Sequence, residues 1–154
     1  MRDAGFRFEW YDKYCVNLFA KGFQKSQQHY DFITALELFE HLSDPLQEIA
    51  VIMSQCDNLI CTTDLLPDPA PKPQDWWYYS LTTGQHISFY THKAMNIIAD
   101  KFGKHYYRCG GIHIFSERAL SRRKAAFACR YHWIVNRVCK RRSLLSEDYE
   151  AVTI

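Results

Sequence analysis

The stretch Tyr30–Pro45, YDFITALELFEHLSDP, constrains the fold of this chain more than any other. Tyr30, Phe32, Ile33, Ala35, Leu36 and Leu38 make a short, nearly continuous apolar run, the pattern of a strand buried on both faces. Glu37, Glu40 and His41 follow at once. If the chain turns helical after Leu36, this spacing sets all three side chains on one face of one turn. Two carboxylates and an imidazole at the carboxyl end of a buried strand suggest a site, because open α/β sheets bind ligands there. Either glutamate taken alone reads as a solvated first-turn acid facing a helix dipole. The trio together favours function.

Around this stretch the chain alternates strand and helix signals. Phe6–Tyr11 alternates aromatic and charged residues after Gly5 and predicts a strand ending at Asp12. An acid at such a strand end accepts hydrogen bonds from a ribose diol in doubly wound folds, or else simply initiates a turn. Pro45–Gln55 predicts a helix, with Asp44 as cap and Pro45 in the first turn. Asn58–Asp64 is the next buried strand, so the three elements form a right-handed, parallel βαβ unit. Leu66–Pro73 holds four of the five prolines and excludes regular structure. It leads into Trp76, Trp77, Tyr78 and Tyr79, aromatics that either wall a substrate pocket or fold back onto the core. Gly84–Tyr90 brings in His86, and Thr91 caps a helix over Lys93–Phe102 that Gly103 ends. Tyr106–Arg108 and Ile112–Phe115 read as strands joined at Gly110-Gly111, an antiparallel hairpin closing a mostly parallel sheet.

Composition narrows the class. At 154 residues the chain has the size of one domain, and 47% hydrophobic with 23% charged residues excludes wholesale disorder. No apolar run approaches the ~18 residues of a membrane span. The start MRDAGFRFEW lacks the apolar segment of a secretory signal, and the six cysteines are spread without a CxxC pair. Reduced thiols and a cytoplasmic location are expected. Charge is uneven: residues 1–117 carry ten Lys/Arg against fourteen Asp/Glu, residues 118–142 nine Lys/Arg and no acid, and residues 143–154 three acids. The expected division is therefore a body over 1–117, a basic helical extension over 118–142 and a frayed acidic tail over 143–154. In the extension Phe127, Tyr131, Ile134 and Val138 fall at helical spacing. Three roles compete for it: packing on the body with a solvated basic face, contact with an anionic membrane, or contact with nucleic acid.

ELFEHLSDP after a buried strand, TTDLLPDPAPKPQDWWYYSLTTGQHISFYT and GGIHIFSER together resemble class I S-adenosylmethionine-dependent methyltransferases. The nearest subgroup is the bacterial methyltransferase domain-containing type with EHL-x-DP and GQHISFY signatures. The resemblance runs from Phe6 to about Glu117. It implies a Rossmann-like sheet in which Phe6–Tyr11 is the family's second strand, Tyr30–Leu36 the fourth and Asn58–Asp64 the fifth. Asp12 then matches the acid that holds the cofactor ribose. The family's first strand and glycine-rich loop would precede Met1, so the chain resembles a methyltransferase truncated at the amino terminus. Such a chain is expected to bind S-adenosylmethionine poorly by itself and to leave a strand edge open beside Tyr30–Leu36.

E-x-x-E-H at this position is similar to the pattern of ubiquinone-pathway O-methyltransferases and of small-RNA 3′-end 2′-O-methyltransferases. That resemblance implies Glu37, Glu40, His41 and His86 as ligands of a divalent cation such as Mg. A hard cation lowers the pKa of an acceptor hydroxyl, and His41 or His86 can instead act as general base without metal. The expected function is O-methyl transfer to a hydroxyl of a small polar acceptor such as a sugar or phenol, with Trp76, Trp77 and Tyr79 at the substrate pocket. The alternatives are a non-catalytic methyltransferase-fold remnant and a partner-binding module that uses the basic extension.

Overall fold

The structure is a computed structural model that describes residues 1–17, 22–131, 137 and 141–152. The chain divides into two compact units, His29–Arg130 and a second made of Met1–Gln28 with Tyr131–Ile154.

The unit His29–Arg130 is a four-stranded sheet with helices. Its elements are β1 (Tyr30–Leu36), α1 (Pro45–Met53), β2 (Cys56–Thr62), α2 (His92–Lys101), β3 (His105–Cys109), β4 (Ile112–Ser116) and α3 (Arg122–Arg130). Strand order is β1-β2-β4-β3. β1 and β2 are parallel, from Tyr30 opposite Cys56 to Leu36 opposite Thr62, as the strand–helix–strand pattern requires. β4 then runs antiparallel to both β2 and β3. The hairpin turns at Gly110, whose φ of 61° is a left-handed conformation that glycine adopts without steric cost. This is a mixed sheet, parallel at its start and antiparallel at its end, in keeping with a Rossmann-like methyltransferase fold.

Local signals place the helices. The Asp44 carboxylate accepts from the Gln47 amide at 3.3 Å at the start of α1, and Pro45 occupies its first turn. Thr91 Oγ1 accepts from the Ala94 amide at 3.1 Å at the start of α2. β2 lies inside the sheet, and its Cys56, Leu59 and Cys61 are buried. They join Phe39, Ile49, Met95, Ile98 and Phe115 in one core. The two buried cysteines are packing residues whose thiols burial pushes up, to about 11 for Cys56 and about 12 for Cys61.

Three expectations change outside the chain ends. β1 is not buried on both faces: only Ala35 is buried and Leu36 is 60% exposed, because β1 ends the order of this four-stranded sheet. Phe6–Tyr11 forms no strand. Trp10 makes a single parallel bridge with Gln24, its amide donating to the Phe23 carbonyl and its carbonyl accepting from the Lys25 amide, both at 2.9 Å, and Glu9 accepts from the amide and hydroxyl of Ser26 at 2.7 and 2.6 Å. The basic helix starts at Arg122, not Arg118. The intervening chain is committed elsewhere, with Ser116 Oγ donating to the Arg118 carbonyl and the Leu120 amide donating to the Tyr107 hydroxyl. Ile134, Val138, Lys140 and Cys139, which the extension was expected to include, lie outside the described residues.

In the other unit the two chain ends meet. Residues 145–152, expected to fray, form α4 (Leu145–Val152). Arg2 donates to Asp148 from Nε at 2.7 Å and from a terminal nitrogen at 2.5 Å, a two-point guanidinium–carboxylate pair. The Leu144 amide donates to the Arg2 carbonyl at 3.1 Å, and Ser143 Oγ to the Asp3 carboxylate at 2.9 Å. Gly5 permits this approach: a Cβ there would stand 2.5 Å from both Arg141 Cβ and the Arg142 carbonyl oxygen.

Candidate active site

The chain leaving β1 does not go straight into a helix. The Glu37 amide donates to Thr62 Oγ1 at 3.0 Å and to the Thr62 carbonyl at 3.3 Å, which carries the β1–β2 pairing one residue further. Glu37 itself takes a left-handed conformation with φ of 49°, costly for a residue with a Cβ. A 3-10 turn, Phe39–His41, follows. The expected single helical face for Glu37, Glu40 and His41 is therefore absent, because the left-handed step at Glu37 breaks the helical spacing. Glu37 is exposed, whereas Glu40 is fully buried and His41 stands beside it.

The partner of this turn is the loop 85–90, some forty-five residues later in the chain. The amides of Ile87 and Ser88 both donate to the Glu40 carbonyl, at 2.8 and 3.0 Å. Ser88 Oγ donates to the Leu42 carbonyl at 2.7 Å, and the buried Tyr90 hydroxyl to the Phe39 carbonyl at 2.9 Å. The EHL and GQHISFY segments are thus laced together residue by residue. The lacing brings His86 to the turn: one ligand atom each from Glu40, His41 and His86 lies within 4.8 Å of the others. Glu37 is not in this cluster.

The hydrogen bonds of the imidazoles set their chemistry. His41 donates from Nδ1 to the Gln85 carbonyl at 3.0 Å, and His86 donates from Nδ1 to the Tyr78 carbonyl at 2.6 Å. In the neutral rings Nε2 is then the lone-pair nitrogen, available as base or ligand. The two rings meet edge to face at 5.0 Å. Both oxygens of Glu40 are buried and, among the described residues, accept no hydrogen bond. A buried carboxylate without a partner is costly, and natural proteins rarely leave one so without a reason.

Tyr78 closes the inner side of the cluster, a role that the aromatic run did not single out. It is buried, its ring centroid lies 4.5 Å from that of His86, and its hydroxyl is hydrogen-bonded with Thr63 Oγ1 at 3.0 Å. Burial pushes its phenol well above the usual range, and the nearby Glu40 carboxylate adds to the rise. The 3-10 turn Trp77–Tyr79 decides which of the four aromatics faces inward, and nothing in the order W-W-Y-Y reveals it. Trp77 is 76% exposed. Trp76 and Tyr79 pack on each other at 4.9 Å and on Phe89 at 5.8 and 5.1 Å, with the Tyr79 hydroxyl donating to the Pro71 carbonyl.

Asp12 belongs to the other compact unit and is exposed. Its Oδ1 accepts from the amides of Tyr14 and Cys15, both at 2.8 Å, and these bonds hold its carboxyl below the usual range. It lies in the wall of a cavity of about 290 Å³ with Trp10, Tyr11, Cys15, Val16 and Asn17.

The family model described as "Methyltransferase domain" matches residues 1–107, more than two thirds of the chain. No curated protein and no solved structure gives a significant match. Among the described residues no helix is long and apolar enough to cross a membrane. Methyl transfer is the chemistry of such domains, which in general implies S-adenosylmethionine as donor and a small molecule as acceptor. With a family match over residues 1–107 on a mixed α/β sheet, this chain belongs to the methyltransferase domain family.

Proposed function

We propose that the chain's chemistry is O-methyl transfer to a hydroxyl of a small polar acceptor, such as a sugar or phenol, at a site that Glu40, His41 and His86 build for a divalent cation such as Mg. The observation that carries this reading is the fully buried, unpartnered Glu40 carboxylate beside two imidazoles whose Nδ1 protons are already committed. One anionic oxygen donor and two neutral nitrogen donors suit a divalent cation. When bound, the ion supplies positive charge that lowers the pKa of an acceptor hydroxyl beside it.

The chain's own residues do the rest. The Gln85 and Tyr78 carbonyls hold His41 and His86 in the tautomer that leaves Nε2 free, so either ring can take a proton from the acceptor. The buried Tyr78 ring, 4.5 Å from that of His86, keeps water from that side of the cluster, which strengthens electrostatic interactions there. In this reading Trp76, Trp77 and Tyr79 are the aromatics that a flat acceptor would meet; Trp77 is exposed, and Trp76 and Tyr79 pack on each other. Within the other compact unit, Asp12 is the residue that would hold the donor's ribose diol; its Oδ1 already serves the turn, and Trp10 and Tyr11 line the same cavity.

The test is methylation of catechol by the full chain with S-adenosylmethionine, read by mass spectrometry. Methyl catechol should form only with Mg²⁺ or Mn²⁺ present and should vanish on chelation or in Glu40→Gln. Methylation that persists unchanged in both would remove the cation from the site, and methylation of an amine in preference to catechol would overturn the oxygen acceptor.

A further inference from the structure

We propose that the unit His29–Arg130 carries a second ligand site, on its β3 edge, that takes a phosphate monoester of mononucleotide size. A cavity of about 360 Å³ lies along β3, the last strand in the sheet order, between α2 and α3. His92 and Asn96 of α2, Tyr106, Tyr107 and Arg108 of β3, and Arg122 of α3 contribute to its wall. None of these residues belongs to the Glu40 cluster, so the proposal stands independently of the cation site.

The charge balance of the cavity is one-sided. Its wall contains no Asp or Glu, and neither Arg108 nor Arg122 makes an ion pair among the described residues. Arg108 donates from Nε to the Gly110 carbonyl at 2.9 Å, which steadies the side chain and leaves its terminal nitrogens as donors. Asn96 Nδ2 donates to both Nδ1 and the carbonyl of His92, at 3.0 and 2.7 Å. With Nδ1 accepting, the ring proton of neutral His92 sits on Nε2, a further donor. Two guanidinium groups and an imidazole N–H without a carboxylate to neutralise them match a phosphate dianion, which arginine grips at two points. The first turn of α3 also holds Arg123 and Lys124 and no acid, so cations crowd a helix start whose dipole repels them. A bound anion relieves that repulsion.

Size and surface argue for more than a bare ion. Small-molecule sites span about 300–1,000 Å³, and this cavity falls at the lower end of that range. The Tyr106 hydroxyl is committed to His113 Nδ1 at 2.8 Å and the Tyr107 hydroxyl to the Leu120 amide at 2.7 Å. Both tyrosines therefore offer ring surface, and Tyr106 meets the His92 ring edge to face at 5.5 Å.

Calorimetric titration of the full chain with uridine 5′-monophosphate, uridine and inorganic phosphate tests the proposal. Uridine is chosen because it lacks the adenine of the methyl donor and so separates the two sites. Saturable binding of the monophosphate is expected, with uridine and the R108Q/R122Q variant each weaker by about tenfold or more. Both arginines are exposed, and far-UV circular dichroism checks that the variant keeps its fold. Binding by the wild type should also weaken as salt rises. Absence of saturable binding, equal binding of uridine, or wild-type affinity in R108Q/R122Q overturns the site. Inorganic phosphate binding as tightly as the ester overturns the assignment of ligand size.

Discussion

The Tyr78 carbonyl accepts the Nδ1 proton of His86 at 2.6 Å while the Tyr78 ring lies 4.5 Å from the His86 ring and its hydroxyl is bonded with Thr63. One buried residue thereby holds the tautomer and the position of a histidine eight places later, and does so through backbone and ring rather than through its hydroxyl. Tyr78→Phe should cost only about 1 kcal/mol, the net value of one hydrogen bond. Tyr78→Ala should cost about 3–5 kcal/mol through the lost ring. Urea denaturation of the two variants checks this; equal costs would mean that the hydroxyl carries the contact.

Glu40 is held where a carboxylate is unfavourable without a counter-charge. In cation-free buffer Glu40→Gln should raise the unfolding free energy by about 1–3 kcal/mol, since it removes an unpartnered charge. Manganese should reverse the order: at a hundred times its dissociation constant a ligand adds about 2.7 kcal/mol to a protein that binds it and nothing to one that does not. Thermal melts of both proteins with and without manganese decide it, and a melting temperature of the wild type that ignores the ion would sink the prediction.

His113 is buried, accepts from the Tyr106 hydroxyl at Nδ1 and donates from Nε2 to the Thr63 carbonyl at 3.0 Å. Burial lowers its pKa from the ordinary 6.5, so the folded state holds it neutral. The unfolded chain then binds the proton first as pH falls. Its contribution to stability is complete above about pH 6.5 and declines below it, through the lowered folded value. Stability measured between neutral and mildly acidic pH should fall less steeply in His113→Gln than in the wild type; equal slopes would refute this.

Arg2 and Asp148 join the two ends of the chain inside one compact unit, and each holds the other's charge, with the Arg2 guanidinium lowering the Asp148 carboxyl. Asp148→Asn should speed limited proteolysis within residues 1–17 and 141–152 while leaving β1 to β4 protected. Mass-mapped cleavage times provide the measurement, and unchanged cleavage at both ends would show that the pair does not hold them.

Much of the architecture was legible from residues 30–116. Proline and glycine positions, caps at Asp44 and Thr91, and the Gly110-Gly111 turn are local chemistry, and local chemistry is written in adjacent residues. The site was less legible: His86 entered through resemblance to a family pattern rather than from the spacing of the residues, and Glu37, named with it, lies outside the cluster. Phe6–Tyr11 has the alternation of a strand, but a strand needs a ladder, and this segment makes one bridge at Trp10 together with side-chain bonds from Glu9.

What the sequence determined by itself was the order of strands and helices over residues 30–116, the donors available for chemistry and the family of the domain. Only the tertiary structure decided which donors converge. The left-handed step at Glu37 sends that carboxylate to the surface, the lacing of loop 85–90 onto Phe39–Leu42 delivers His86, and burial leaves Glu40 without a hydrogen bond among the described residues. The physical reason is range: caps and turns depend on neighbours three or four residues away, whereas desolvation and convergence depend on residues brought together across the chain.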